Sequence, residues 1–261
     1  MNSKPLVLAL VSLGALCAIA GCATPSPPNI VLIYVDDLGW RDLGVMGSDY
    51  YETPNIDALA SQGIRFTQAY SNAPNCAPAR ASLLSGQYPP RHGVYTVGTA
   101  ARGDAADRKL VPVDNVTELP LDTVTLAEVL ADGGYATGHI GKWHLGGPGF
   151  EPEAQGFDWA VGGDASGAPP TYFHPYTRNG RSLPDLESGD NGEYLTDRLT
   201  DEAIRFLDSH RDRPFLLYLS HYGVHTPIEA KADIERYYRD KPTGTGHDNP
   251  TYAAMIQSVD E

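Results

Sequence analysis

Residues 29–37 read NIVLIYVDD, and this stretch decides the fold. Ile30, Val31, Leu32, Ile33, Tyr34 and Val35 form an unbroken apolar run without the alternation of a half-exposed strand. Such a run is expected of a parallel strand buried on both faces. It stops at Asp36 and Asp37, so the strand delivers two adjacent carboxylates at its carboxyl end. Working outward, Thr53-Pro54 has the form of an N-cap followed by proline in the first helical turn, opening a helix through Ile56, Leu59 and Ala60 to Gly63. Residues 64–70 are a second strand candidate, and 78–84 open another helix just after Cys76. A helix over 125–131 is closed by Gly133-Gly134, and a short strand over 135–140 follows. A longer amphipathic helix spans 195–209, and 214–220 (PFLLYLS) is another buried strand. Strand and helix signals alternate, so the expected class is an α/β sheet with helices on both faces. Ligand sites in such sheets lie beyond the carboxyl ends of the strands. Asp36-Asp37, Lys142 to His144 and His221 to His225 all follow predicted strands, which points to one shared site. The irregular stretches 94–122 and 151–193, rich in Gly, Pro and Asp, read as walls of a substrate pocket.

The chain has 261 residues, of which 41% are hydrophobic and 20% charged, the profile of a globular protein with a sizeable core. Nineteen Lys and Arg stand against 33 Asp and Glu, for a net charge of -14. That balance argues against a nucleic-acid binder, which needs cations to neutralise phosphates. An anionic substrate is still allowed, because a local cationic pocket or a metal can override the global field. At the amino terminus, Lys4, the apolar residues 6–20 and Gly21-Cys22 have the form of an export signal. The run is too short to span a membrane, which takes about 20 apolar residues. Ile19-Ala20-Gly21-Cys22 resembles a bacterial lipobox, although a plain secretory signal would share the other features. The expected organisation is a lipoprotein signal over 1–21, a proline-rich tether over 22–28 and a folded domain over 29–261. The mature protein would then be exported and held by a lipid on Cys22 at a membrane, facing the periplasm or the cell surface. Cys17 leaves with the signal and Cys22 carries the lipid, so Cys76 stands alone and no intramolecular disulfide can form.

Four groupings carry chemistry. Asp36-Asp37 at a strand end is the oxygen-rich signature of a hard cation, Ca²⁺ or Mg²⁺, although adjacent acids also occur in solvated turns. Cys76-Ala77-Pro78-Ala79-Arg80 pairs a thiol with a nearby guanidinium, which fits an activated thiolate or a structural thiol beside an arginine. Gly141-Lys142-Trp143-His144 places an anion-holding amine and a proton-shuttling imidazole two residues apart. His221 and His225-Thr226-Pro227 follow the last buried strand, and without cysteine partners they make a poor structural zinc site.

Together these segments resemble the formylglycine-dependent, type I sulfatases of the alkaline-phosphatase-like superfamily. Residues 29–31 through Asp36-Asp37-Leu38-Gly39-Trp40 look like that family's opening strand and first metal ligands. Thr53 to Ala60 with Gly63 and Phe66 match the segment that follows. Cys76-x-Pro78-x-Arg80 with Leu83-Leu84-Ser85-Gly86 is similar to the modification signature. Gly134-Tyr135 through Gly141-Lys142-Trp143-His144, and His225-Thr226-Pro227, match later motifs. The fold implied is a mixed, mostly parallel sheet sandwiched between helices and incomplete at its C-terminal side.

The resemblance implies a sulfuric ester hydrolase. A formylglycine-generating enzyme would oxidise Cys76 to an aldehyde, whose hydrate attacks sulfur. Asp36, Asp37 and residue 76 would ligate Ca²⁺, with Mg²⁺ the alternative. Arg80 would hold the hydroxyl of the modified residue, and Lys142 the sulfate. His144 would move the hydrate's proton, and His225 would protonate the leaving oxygen. Asn75, Ala79 and Ser85 depart from the commoner residues at their positions, while the Cys-x-Pro-x-Arg core is intact. Asp248-Asn249 is not read as the family's later ligand pair, because no apolar strand precedes it. The chain is accordingly expected to be the N-terminal portion of a longer enzyme, with weak metal binding of its own. Competing readings are a phosphatase or phosphodiesterase of the same superfamily, a catalytically silent glycan-binding lipoprotein, and a thiol hydrolase using Cys76 and a histidine. Tyr172, Phe173, Tyr176 and Trp159 in the long loops suggest a sulfated saccharide substrate, although aryl sulfates fit the chemistry equally.

Overall fold

The computed structural model describes residues 27–261. The proposed signal, Cys22 and most of the tether lie outside the described residues. The first strand, β1 (Ile30–Val35), is followed by α1 (Pro54–Gln62), α2 (Cys76–Ser85) and the single turn α3 (Pro89–His92). Next come α4 (Leu126–Asp132), β2 (Ala136–Gly141) and β3 (Trp159–Val161). A small antiparallel pair, β4 (Thr177–Arg178) and β5 (Arg181–Ser182), precedes α5 (Leu195–Ser209) and β6 (Phe215–His221). The described chain closes with α6 (Ala232–Asp240) and α7 (Pro250–Asp260).

Four strands form one sheet in the order β1-β6-β2-β3, and every neighbouring pair is parallel. Strand β6 lies in the middle and is buried along its whole length, as its unbroken apolar sequence requires. Phe215, Leu217 and Leu219 face a core shared with Leu199, Ala203 and Phe206 of α5 and with Ala253 to Ile256 of α7. Leu216 and Tyr218 face the opposite core, with Ala77, Ala81 and Leu84 of α2 and Ala127 of α4. Helices therefore cover both faces, as the alternating signals imply. Thr125 caps α4 through a reciprocal pair of bonds with Glu128, and Gly133 ends that helix.

Three expectations need correction. Strand β1 is not buried on both faces: it is an edge strand, and Val31 and Ile33 are 49% and 54% exposed on the side where no described element packs. Residues 64–70 form turns and coil rather than a strand, because no neighbouring strand takes up their backbone groups, and Ile64, Phe66 and Tyr70 are exposed. Tyr172 and Tyr176 belong to the core rather than to a substrate surface, their hydroxyls bound to the His225 carbonyl and to Glu193. Thr53 does stand at the N-cap of α1, but its hydroxyl bonds the Gly44 amide and Asp57 instead of capping. No helix among the described residues is long and apolar enough to cross a membrane.

Candidate active site

The carboxyl ends of β1, β2 and β6 meet at one place. The Asp36 amide donates to the Gly223 carbonyl and the Val224 amide to the Asp36 carbonyl, which joins the residues after β1 to those after β6. At the end of β2, Gly141 has φ +98, and a Cβ there would stand 2.1 Å from the Ser220 carbonyl oxygen. Only glycine allows the chain to pass so close and turn Lys142 inward. The Lys142 amide then donates to that same Ser220 carbonyl at 2.8 Å.

Asp36 is 3% exposed and held by two buried cations. Arg80 reaches one of its oxygens at 3.2 Å, and Lys142 contacts the other. Arg80 also donates to the Lys142 carbonyl at 2.9 Å, to Tyr218 at 3.3 Å and to the Ser220 hydroxyl, and it lies over the Tyr34 ring. Burial lowers the Lys142 pKa, and the attraction of Asp36 only partly offsets that. Burial also opposes the Arg80 charge, but its contacts with Tyr218 and Asp36 outweigh it and raise its pKa. A buried carboxylate with two cationic partners is what the electrostatics require, since an unpaired one could not stay charged.

The next residue faces a different environment. Asp37 adopts a left-handed backbone, φ 60, and its carboxylate stands 61% exposed at the mouth of a cleft of about 500 Å³. Cys76, His144, His225, Arg102 and Asn75 line the same cleft. Cys76 is the half-buried first residue of α2, where the helix dipole favours negative charge. Asn75, just before it, is anchored by a 2.9 Å bond from its amide to the Thr96 hydroxyl. The ring of His144, another left-handed residue, packs against Gly167, whose missing Cβ would otherwise lie 2.4 Å from Cε1. Burial first, then the nearby Lys142 and Arg80, push the His144 pKa down to about 4. Its Nδ1 is buried without a hydrogen-bond partner. His225 bonds the Thr226 carbonyl through Nδ1 at 2.7 Å, so Nδ1 carries the proton and Nε2, 3.7 Å from Asp37, has its lone pair free.

Oxygens of Asp36 and Asp37 and a nitrogen of His225 lie within 4.8 Å of one another. Two carboxylates from adjacent residues suit a hard divalent cation, which takes oxygen ligands, and the His225 imidazole stands beside them. This donor set fits a metal. The Cys76 thiol lines the cleft without joining that group of three. Of the residues singled out in the sequence, Asp37, Cys76, His144 and His225 share the cleft, while Asp36, Arg80 and Lys142 stand behind it. His221 is buried at the end of β6 and lines no part of the cleft. Asp248 is exposed and Asn249 caps α7 through the Tyr252 amide, so this pair takes no part in the site. Val97, Arg102, Ser166 and Ala168, from the two long irregular stretches, form its walls. Ser220 and Tyr218 were not singled out from the sequence. Their positions on a strand facing Arg80 emerge only when β6 lies between β1 and β2.

A sequence model of the sulfatase family matches residues 28–261. N-acetylgalactosamine-6-sulfatase of Mus musculus is 36% identical over 247 residues, covering 87% of this chain and 45% of that protein. The crystal structure of Ps i-CgsB in complex with k-i-k-neocarrahexaose superimposes with a TM-score of 0.70 at 33% identity, over 89% of this chain and 52% of that one. The phosphonate monoester hydrolase of Agrobacterium radiobacter, at 20% identity and a TM-score of 0.57 over 90% of this chain and 57% of that one, shares the fold. The chain spans about half the length of the curated relatives it matches.

Proposed function

The chain belongs to the sulfatase family, and from that premise we propose that the whole protein hydrolyses sulfate esters at the cleft beside Cys76. Its mostly parallel sheet between helices is of the alkaline-phosphatase-like type shared with these neighbours. The observation that carries the proposal is convergence: Cys76 at a helix N-terminus, Asp37, His144 and His225 line one accessible cleft, with the Asp36 carboxylate directly behind it. Residue 76, once converted to a hydrated formylglycine, would supply the nucleophile for sulfur, and Ca²⁺ or Mg²⁺ would polarise the sulfate oxygens.

The chain's own residues would do the rest. Asp36 and Asp37 hold the cation, with His225 beside them. Arg80 and Lys142 fix Asp36 in one orientation. Neutral at physiological pH, His144 is able to take a proton from a hydroxyl on residue 76. His225, once protonated at Nε2 and steadied by Asp37, is placed to give that proton to the departing oxygen. A sulfated saccharide is the favoured substrate, supported by a relative named for an amino sugar and by a structure that holds an oligosaccharide. Modification of Cys76 calls for a formylglycine-generating enzyme as partner. Lipid on Cys22 would keep the exported domain at a membrane.

Expression with export in a host containing the modifying enzyme tests the proposal. Free sulfate would be measured by ion chromatography on sulfated saccharides and an aryl sulfate. Release that disappears in Cys76→Ala is the expected result. Release unchanged by that substitution, or phosphate released from a phosphate ester in preference to sulfate, would overturn it.

A further inference from the structure

The cations nearest the candidate reaction centre are already engaged: Arg80 and Lys142 are fully buried, and both bind Asp36. Among the described residues, Arg102 is the one lysine or arginine that lines the cleft. It is exposed, and no carboxylate pairs with it among the described residues; its guanidinium makes only long, 3.4 Å contacts with the Thr96 hydroxyl and the Val97 carbonyl. In a chain of net charge -14, an unpaired guanidinium at the mouth of a cleft calls for an explanation.

The loop that carries Arg102 is built rather than loose. Asn115 accepts from the Tyr95 and Thr96 amides at 2.7 and 3.0 Å and donates to the Thr96 and Gly98 carbonyls. Arg108 clamps the far side, donating to the carbonyls of Arg102 at 3.2 Å and Gly103 at 2.8 Å. Asn75 ties Thr96 to the start of α2, so the loop is referenced to residue 76 itself. A guanidinium carried on such a braced loop presents a planar fork of donors that matches a sulfate or carboxylate group.

Resting on the sulfatase reading above, we propose that Arg102 binds a second oxyanion of the substrate. That group is a sulfate or carboxylate on the same or a neighbouring sugar, and the cleft thereby selects polyanionic saccharides over singly charged ones. The first oxyanion is the ester under attack at residue 76. The second does not react and takes its place on Arg102.

The test uses the exported, modified protein and three disaccharides: one with a single sulfate, one with two sulfates, and one with a sulfate and a uronic carboxylate. Sulfate release gives the ratio of kcat/KM for each doubly charged substrate to that for the singly charged one, and calorimetry gives binding independently. Loss of one charge-assisted contact corresponds to about a 10- to 100-fold change. The ratio should therefore fall by about that factor in Arg102→Ala, through KM, with part of it restored in Arg102→Lys. In the wild-type protein the ratio should also shrink as salt is added. Comparing the two doubly charged substrates shows which oxyanion is preferred. An unchanged ratio with sulfate still released would overturn the role of Arg102 and leave the hydrolase standing. Binding that depends on Arg102 without any sulfate release would uphold Arg102 and overturn the hydrolase.

Discussion

Asp36 is 3% exposed and held by two cations, whereas Asp37 is 61% exposed and its carboxylate stands 3.7 Å from His225. Their substitutions should therefore separate. Asp36→Asn leaves Arg80 and Lys142 buried around a neutral group and should cost about 3–5 kcal/mol in urea unfolding. Asp37→Asn should change stability by less than about 0.5 kcal/mol, yet lose most of the rise in unfolding midpoint that added Ca²⁺ gives the wild type. Equal losses of stability in the two variants would contradict this division. Gly141→Ala would force a methyl group to within 2.1 Å of a carbonyl at a backbone angle that L residues avoid. It should destabilise the protein by about 2–4 kcal/mol and disturb Lys142 first. At this scale the sequence was informative at most strand ends: Asp36, Asp37, Lys142, His144 and His225 are drawn together, whereas His221 at the end of β6 is buried away from the cleft. Arg102, Ser220 and Tyr218 were not legible, because each acts across a distance that only the completed sheet and the Asn115-braced loop establish.

Helix α4 depends on its capping box. Thr125→Ala removes the cap and also the hydroxyl's 2.7 Å bond to the Gln155 carbonyl, so a loss of about 1–2 kcal/mol is expected in urea unfolding, with Thr125→Ser recovering most of it. On β2, His139 is buried against Trp143, Phe157 and Tyr218 and bonds the Lys142 carbonyl at 3.2 Å. Burial holds its pKa down to about 3, and burial of His221 on β6 holds that one at about 4. Both depressed values mean that the unfolded chain takes up protons before the folded one does. The stability they support is complete above the ordinary 6.5 and is lost as pH falls toward 4 and then 3. His139→Gln should flatten that decline in urea midpoints measured across the range, and an unchanged slope would remove His139 as a cause. The elements most legible in the sequence are those whose own packing repeats their pattern. The amphipathic α5 spans the expected residues 195–209, and β6 is apolar because both its faces are covered. Residues 30–35 are apolar throughout and 64–70 only in part, yet both leave large side chains exposed, because burial requires a partner on each side and composition does not report whether one is present.

Across the whole described molecule, the large apolar side chains left exposed include Val31 and Ile33 of β1 together with Trp40, Leu59, Ile64, Phe66 and Tyr70. Trp40, Leu59, Ile64 and Phe66 share one apolar groove of about 630 Å³ lined also by α1 residues. An open strand edge and an apolar patch of this kind favour self-association. Light scattering of the 261-residue chain should show aggregation that Val31→Lys with Ile33→Lys suppresses; a monodisperse wild-type monomer at high concentration would contradict that expectation. The sulfatase reading itself turns on the chemical state of residue 76. Its most direct test is the mass of the peptide spanning residues 73–80, purified after export from a host that contains the formylglycine-generating enzyme. An aldehyde in place of the Cys76 thiol is the expected result, and an intact thiol in that host would contradict it.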